Sequence, residues 1–481
     1  MTKQTQIILF GCIFILTVLR LFFISNTMLI DDEAYYAIYA RHLNWGYIDH
    51  GPVIAYLIRF FTILFENSFT VRLGGVVLLT TLCYLLYQFG KTYYSWKTGM
   101  ILALTVCLNM MFHTSAIIMT PDAPLAFFTI LAIIYYYKAY FIHEKYLYPA
   151  GLFMGLCILS KVSAIFPAIG ILLLPVFIKE KRHYLKNKKF YGALCIALLI
   201  FTPFIYWNLQ NDMAFVRYQG SHILGEGSWQ TFVELWVGIL LLSGPILFYY
   251  TLILPILHLL KIKSVSADKV YFSLVTFVPL AYFLMHSFFS RMELNWPAPV
   301  FMGGIFLFSI YMDENWKNSR GRIIFQLGYS FLLILIVTIQ TFWPILPLNN
   351  KSDITNRYFT YNAFRDALGE YLDQNPDLKQ KRILSNNFQI PSMINFYLKP
   401  ELEAGCLSIG YHETLYSFLY PDNLLKGNDF LYLFEGKIFP EWLKPYFDDF
   451  EILHHFESKR YQEKISVYSL WLVNNYHGKN L

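Results

Sequence analysis

Asp31-Asp32-Glu33 puts three carboxylates within one helical turn. At the mouth of a membrane cavity, a carboxylate can act as general base, hold a metal or bind a sugar hydroxyl. Asp32 and Glu33 are the candidates for that chemistry. Asp31 reads as an N-cap, and all three acids suit the positive end of a helix dipole. Tyr35, Tyr36 and Asp49 are candidates for substrate contact, although aromatic anchoring at an interface explains the tyrosines equally well. A second acid, Asp122, lies in Thr120-Pro121-Asp122-Ala123-Pro124. Capping alone accounts for that pattern: Thr as N-cap, Pro at the first helical position, Asp in the first turn. A catalytic role and a capping role both stay open for it.

Cations that can face an anionic group are His50, Lys161 and Arg291, with Arg217 and His222 behind them. Lys161 stands between two apolar half-spans, where a charge costs about 3 kcal/mol on insertion scales. It therefore pairs with a phosphate or snorkels to the interface. Arg20, inside the first apolar run, reads as paired internally or snorkelling. Asp49 and His50 are adjacent and with Glu33 would make three metal ligands, but the spacing is not that of a zinc motif. No metal or cofactor is expected.

These groups need a scaffold, and composition says which kind. Of the 481 residues, 56% are apolar, 19% aromatic and 15% charged. Soluble domains carry about 25% charged residues, so a water-soluble enzyme is excluded. The six cysteines form no CxxC and read as small apolar residues. Apolar runs occur at 7–24, 71–89, 99–118, 123–142, 190–208, 232–258, 270–289, 296–312 and 323–345. The first follows Lys3 without a small-x-small cleavage site and reads as an uncleaved anchor. With the N-terminus in the cytoplasm, the basic residues at 91, 97, 145, 179–189, 261–269 and 317–322 all fall inside. The net charge of +6 thus reflects topology and the inner leaflet, not nucleic acid.

The stretch 147–178 begins and ends beside cytoplasmic lysines, so an even number of crossings separates them. Two helices of about 16 residues each reach only some 24 Å, against roughly 30 Å of hydrocarbon. Their turn at Lys161-Val162-Ser163 should sit below the outer surface and face protein or a wet cavity. This gives about eleven transmembrane helices and an outward C-terminus. Between the first two spans, 25–70 forms the longest outer loop. Tyr35, Ile38, Tyr39 and Leu43 share one face of a helix expected to lie along the membrane, and 53–65 reads as a second interfacial helix. From residue 346 charges return. A helix at 356–373 and strands at 382–390, 430–434 and 464–472 predict a small α/β domain on the outer face. The expected partition is a membrane domain at 1–345 and a soluble domain at 346–481.

Five segments together resemble the GT-C membrane glycosyltransferases, in particular the bacterial members of glycosyltransferase family 39, with lipid A aminoarabinose transferases as relatives. They are Asp32-Glu33-Ala34-Tyr35-Tyr36, Gly46-Tyr47-Ile48-Asp49-His50-Gly51-Pro52, Met119-Thr120-Pro121-Asp122-Ala123-Pro124-Leu125, Leu159-Ser160-Lys161, and Glu293-Leu294-Asn295-Trp296-Pro297-Ala298-Pro299. The likeness covers roughly residues 1–345. It implies an inverting transferase that moves a sugar from a polyprenyl-phosphate carrier to an acceptor on the outer face. It also implies Asp32 as catalytic acid and Asp122 as a second acid lining the cavity. Asp49-His50 departs from the family, occupying the place where aminoarabinose transferases carry Glu-Lys beside the carrier phosphate. His50 is cationic only part of the time near neutral pH, so phosphate binding there is expected to be weaker or to need Lys161.

Such a reaction explains why no phosphate-cradling glycine loop is present, since no nucleotide enters. Displacement at the anomeric carbon returns negative charge to the phosphate, which cations in a poorly hydrated cavity stabilise. The expected partners are the polyprenyl-phosphate sugar, membrane lipids, and a lipid or glycan acceptor, with lipid A or lipopolysaccharide favoured and a protein serine open. The expected location is a bacterial inner membrane, with the C-terminal domain periplasmic. The alternative is a secondary transporter or lipid flippase, but such proteins show repeated halves and charges at mid-span, neither of which is visible here.

Overall fold

Apolar runs become helices here because hydrocarbon offers the backbone no hydrogen-bond partners outside the segment itself. The computed structural model describes residues 3–221 and 227–479. Its first part contains α1 (Lys3–Asn26), α2 (Asp31–Arg41), α3 (Val53–Phe61), α4 (Ser68–Tyr93), α5 (Trp96–Leu108), α6 (Met110–Ile117), α7 (Asp122–Phe141) and α8 (Leu147–Ser160). There follow α9 (Ile165–Phe177), α10 (Lys188–Gln210), α11 (Ala214–Ser221), α12 (Trp229–Ser243), α13 (Pro245–Leu260), α14 (Ala267–His286), α15 (Ala298–Glu314) and α16 (Trp316–Phe342). Among the described residues six helices are long and apolar enough to cross a membrane, or up to nine spans if each of three bent pairs is counted as one. The short pair α8 and α9 breaks at Lys161, as the spacing predicts.

Two apolar runs expected as single spans are broken. The run 99–118 bends by 57° at Asn109, and 232–258 turns by 112° at Gly244-Pro245. Gly244 adopts φ +86°, which side-chain-bearing residues avoid, and Pro245 then opens α13 without needing a donor. A turn in this apolar setting must still satisfy its freed backbone groups. Gln326 of α16 does so from both ends of its amide. Its Oε1 accepts from Ile246 N (3.1 Å) and Leu247 N (2.9 Å), and its Nε2 donates to Ser243 O (2.9 Å). Asn109, at the other break, also donates to Ser243 O (2.9 Å).

Packing sorts the chain into two compact units that interleave in sequence, in place of the expected boundary at 345/346. The first comprises Met1–Ile24, His50–Leu57 and Arg72–Ile336. Its core is aromatic where α7, α14 and α15 meet: Phe272 stacks on Phe306 at 4.7 Å and on Tyr137 at 5.6 Å. Where α8 crosses α10, Gly151 and Gly155 lie on Ala193 and Ala197, a small-residue seam that lets the backbones close without hydrophobic drive.

The second unit comprises Ser25–Asp49, Ile58–Val71 and Val337–Leu481. It holds α17 (Gly369–Gln374), α18 (Pro376–Lys379), α19 (Gln389–Tyr397) and strands β1 (Ile383–Ser385), β2 (Gly405–Cys406), β3 (Phe430–Glu435), β4 (Asp449–Arg460) and β5 (Glu463–Asn474). The sheet runs β2-β1-β3-β5-β4, parallel across its first three strands and antiparallel beyond. The predicted strand 382–390 is a strand for three residues only. Asn387 Oδ1 then accepts from Ile390 N (3.2 Å) and turns the chain into α19. The helix expected over 356–373 is instead a 3-10 turn at Ile354–Tyr358, a π turn at Phe364–Leu368 and α17. Buried Arg460 enforces the first of these, bonding Asp353 (3.0 Å), Thr355 (3.0 Å) and Asn356 (2.7 Å) with one nitrogen.

The helix expected to lie along the membrane is a buried one. In α2 every residue from Glu33 to Ala40 is buried, and the helix packs on α19 inside the second unit. The end of α3 and the segment after it do carry exposed apolar side chains, at Phe60, Ile63, Leu64 and Phe65.

Replacing Gln326 with Leu removes the acceptor of Ile246 N and Leu247 N, each lost pairing costing about 1–3 kcal/mol, while Ser243 O keeps Asn109. Thermal unfolding in detergent should show a lowered midpoint for Gln326→Leu; an unchanged midpoint would mean the turn is satisfied otherwise.

Candidate active site

Two clusters of chemistry-bearing residues emerge, one in each unit. In the first unit Asp122 opens α7 and Lys161 sits in extended backbone at the end of α8 (φ −156°, ψ 130°). Lys161 Nζ meets Asp122 Oδ1 at 2.8 Å, with both side chains only 11–12% exposed. Asn295, in the loop before α15, donates to the other oxygen, Oδ2, at 2.6 Å. Lys161 has three donors, and Asp122 is its one acceptor among the described residues.

His50 is the third member. Gly51 beside it touches the backbone of α8 so closely that a Cβ there would lie 1.7 Å from Leu159 O. That approach is open to glycine alone, and it delivers His50 into the field of Lys161 and Asp122. Burial among protein atoms, then the charge of Lys161, push the imidazole down to about 3, against a smaller opposing pull from Asp122. His50 is thus neutral at physiological pH, which corrects its expected role as a part-time cation. Arg291, expected beside the phosphate, is exposed, and its side chain makes no hydrogen bond or ion pair with the described residues. Arg217 turns back onto the Asp212 carbonyl, and His222 lies outside the described residues.

In the second unit, Ile30 takes the cap position of α2, so Asp31 is the first helical residue and not the cap. Glu33 is fully buried and its Oε2 accepts from Ile30 N (3.0 Å), closing the first turn. This gives Glu33 a structural task where catalysis was expected. Asp32 stays open, its side chain 39% exposed. Arg357, from the 3-10 turn at Ile354–Tyr358, reaches both acids with a single nitrogen: Nη2 lies 2.5 Å from Asp31 Oδ1 and 3.0 Å from Asp32 Oδ2. Burial among the surrounding protein atoms, followed by the like charge of Asp31, raises the Asp32 carboxyl to about 6. Arg357 works against both, and Glu33 adds a small further rise.

The remaining candidates hold α2 in place. Tyr35 is buried, its ring 4.3 Å from that of Phe388 and its hydroxyl accepting from Leu415 N at 2.8 Å. Tyr36 is 7% exposed and packs edge-on against Tyr39. Asp49 is buried and takes a hydrogen bond from the Tyr39 hydroxyl, whose ring stacks on Tyr47 at 3.8 Å. Packing thus claims the surfaces that were expected to meet substrate. At the far end of α2, Arg41 forks onto Glu66 at 2.8 Å and His42 pairs with Glu403 at 2.9 Å. The hydrogen bonds from His42 and Tyr420 hold Glu403 down to about 2 against the opposing effect of burial. Among the described residues no group of three metal-ligating side chains converges.

Sequence reasoning missed Arg357 and Asn295 as site residues. Asn295 lay in a segment already singled out, ahead of Trp296-Pro297-Ala298-Pro299. Arg357 carried no signal, being one basic residue in a polar stretch 325 positions from Asp32.

Residues 49–207 match the family described as dolichyl-phosphate-mannose-protein mannosyltransferase. The fold matches that of ArnT from Cupriavidus metallidurans, solved with undecaprenyl phosphate, at a TM-score of 0.66 over 98% of each chain and 13% identity. The chain has the ArnT-like GT-C fold. An oligosaccharyltransferase, AglB from Archaeoglobus fulgidus in complex with an inhibitory peptide and a dolichol-phosphate, shares the fold at a TM-score of 0.52 and 12% identity. That match covers 90% of this chain and 70% of AglB. In sequence, the chain is similar to lipid A galacturonosyltransferase RgtD of Rhizobium johnstonii, 24% identical over 347 residues, 68% of this chain and 69% of that protein.

In the GT-C scaffold Lys161→Met strands Asp122 without its cation, a loss of about 3–5 kcal/mol for a buried pair. The double variant Asp122→Asn with Lys161→Met should recover most of the unfolding midpoint while remaining inactive in sugar transfer. Equal midpoints for the single and double variants would show that the pair carries no stability. Gly51→Ala should lower transfer about 100-fold by displacing His50 by an ångström or so, as read by product formation at equal protein.

Proposed function

We propose that this glycosyltransferase takes a sugar from a polyprenyl-phosphate carrier and transfers it, with inversion, to a hydroxyl of lipid A or a related envelope glycan. The transfer takes place on the periplasmic face of a bacterial inner membrane. The observation that carries the reading is Asp32: a carboxylate with one oxygen held by Arg357, the other open, and a pKa raised to about 6. A base tuned close to the working pH combines sufficient ionisation with useful basicity. The ArnT structure contains undecaprenyl phosphate and the AglB structure a dolichol-phosphate, which supports the carrier class. The name of RgtD supports lipid A as the acceptor type.

In the reaction, the acceptor oxygen forms a bond to the anomeric carbon while the bond from that carbon to the carrier phosphate breaks. The electron pair of the broken bond stays on the phosphate, and the acceptor proton goes to Asp32. Within the first unit, Lys161 has donors left over after bonding Asp122, and these suit an anionic group. Asp122 and Asn295 fix the ammonium, and neutral His50 adds no second cation to compete for Asp122.

Mass spectrometry of lipid A and total envelope glycans should lose one sugar in a deletion strain and in Asp32→Asn. If the inserted and abundant Asp32→Asn protein preserves every glycan, Asp32 is not the base. Because the base works ionised, transfer should be full well above pH 6, fall to about half near 6 and be lost below it, as read from initial rates with solubilised enzyme.

A further inference from the structure

We propose that Arg357 is a positioning residue for Asp32, supplying from the C-terminal half of the chain the charge that lets two adjacent carboxylates work as one oriented base. The inference rests on Asp32 being the base. It begins from a physical difficulty. Asp31 and Asp32 are neighbours in sequence and both lie in the first turn of α2, where like charges at close range oppose joint ionisation. Glu33 adds a third negative charge from the same turn, and Tyr361 and Tyr411 bring hydroxyls but no positive charge. Arg357 is the cation paired with both Asp31 and Asp32 among the described residues.

The geometry is selective. Nη2 bridges Asp31 Oδ1 and Asp32 Oδ2, so the guanidinium draws together two carboxylates that would otherwise splay apart. Asp31 is held a second time by the Tyr361 hydroxyl, 3.4 Å from Oδ2, and by Asp32 N, 3.1 Å from Oδ1. Asp32 is held only at Oδ2. Its Oδ1 has no partner among the described residues, so one oxygen is oriented and the other is left for an incoming hydroxyl. An oriented acceptor with a free lone pair is the requirement for efficient proton abstraction.

Arg357 itself is fixed by its neighbours. Asp353 and Asn356 on the same turn are bonded by buried Arg460, which also reaches Thr341 O (3.0 Å). A chain of strong hydrogen bonds thus runs from β4 to the turn that presents the guanidinium. Nη1 and Nε of Arg357 make no hydrogen bond with the described residues, and half of the side chain is exposed. The residue is therefore placed for its charge and its one bridging nitrogen, not for packing.

The test is the pH profile of sugar transfer by the full-length solubilised enzyme carrying Arg357→Gln, Arg357→Lys or Asp32→Asn. Arg357→Gln should lower kcat about tenfold or more, leave KM for the carrier-linked sugar near wild type, and move the acid limb upward from about 6. Arg357→Lys keeps the charge, so its limb should remain near 6 while kcat falls through loss of the bridging geometry. Guanidinium ion added to Arg357→Ala should restore part of the rate. An Arg357→Gln enzyme with an unmoved limb and wild-type kcat would overturn the inference, and inactivity of Asp32→Asn beside it would leave the base itself intact. Activity retained in Asp32→Asn would instead overturn the base. If Arg357→Gln fails to accumulate, Arg357→Lys decides: a limb displaced despite the retained charge would likewise overturn the proposal.

Discussion

A charge placed at the break between two short membrane helices must find a counter-charge, and the first unit is organised around that need. Lys161 ends α8, and Asp122, the first residue of α7, answers it at 2.8 Å. Neither group is stable there alone, because a lone ion in a poorly hydrated interior loses several kcal/mol of solvation. The pair fixes how α7 meets the α8–α9 turn. Asn295 then ties in the loop before α15. Gly51 brings the first loop down onto Leu159, within reach of the same pair. Segments far apart in sequence converge because one ammonium has to be satisfied.

The second unit meets a related demand by different means. Here the acids lie on a helix that is buried yet amphoteric at its ends. Its N-terminus carries Asp31 and Asp32 against Arg357, and its C-terminus carries Arg41 and His42 against Glu66 and Glu403. Between these clamps Ala34, Ala37 and Ala40 are small enough for close packing, and the tyrosines fill the rest. Clamping at both ends leaves α2 little freedom to rotate, so the one carboxylate that stays open, Asp32, keeps a fixed outlook. Burial and its neighbour Asp31 raise its affinity for a proton, while Arg357 prevents that rise from going further.

Helices were legible in the sequence wherever hydrophobicity alone builds them. The α8–α9 break was legible too, because a lysine in an apolar run admits few placements. The turns at Asn109 and Gly244 were not, since the second is satisfied by Gln326, more than eighty positions away from Ser243, and Asn109 itself reaches across to Ser243 O. β4 escaped notice as an edge strand whose residues are largely exposed, so no alternation of apolar and polar residues marks it. The burial of α2 was misread because an amphipathic stripe looks the same whether it faces lipid or a protein neighbour.

The sequence by itself determined the material of the site: acids after the first span, a lysine in an apolar run, and glycine and proline where the chain must turn. These are local choices with local physical consequences, and they suffice to indicate a membrane transferase. The tertiary structure decided which of those groups are spent on holding the fold. Glu33 closes a helix turn, Asp49 binds Tyr39, and Tyr35 is packed away. It also decided that Arg357 joins Asp32 and that His50 is neutral. Those outcomes depend on burial and on charges brought near by folding, and such long-range electrostatics leave no trace in the order of residues.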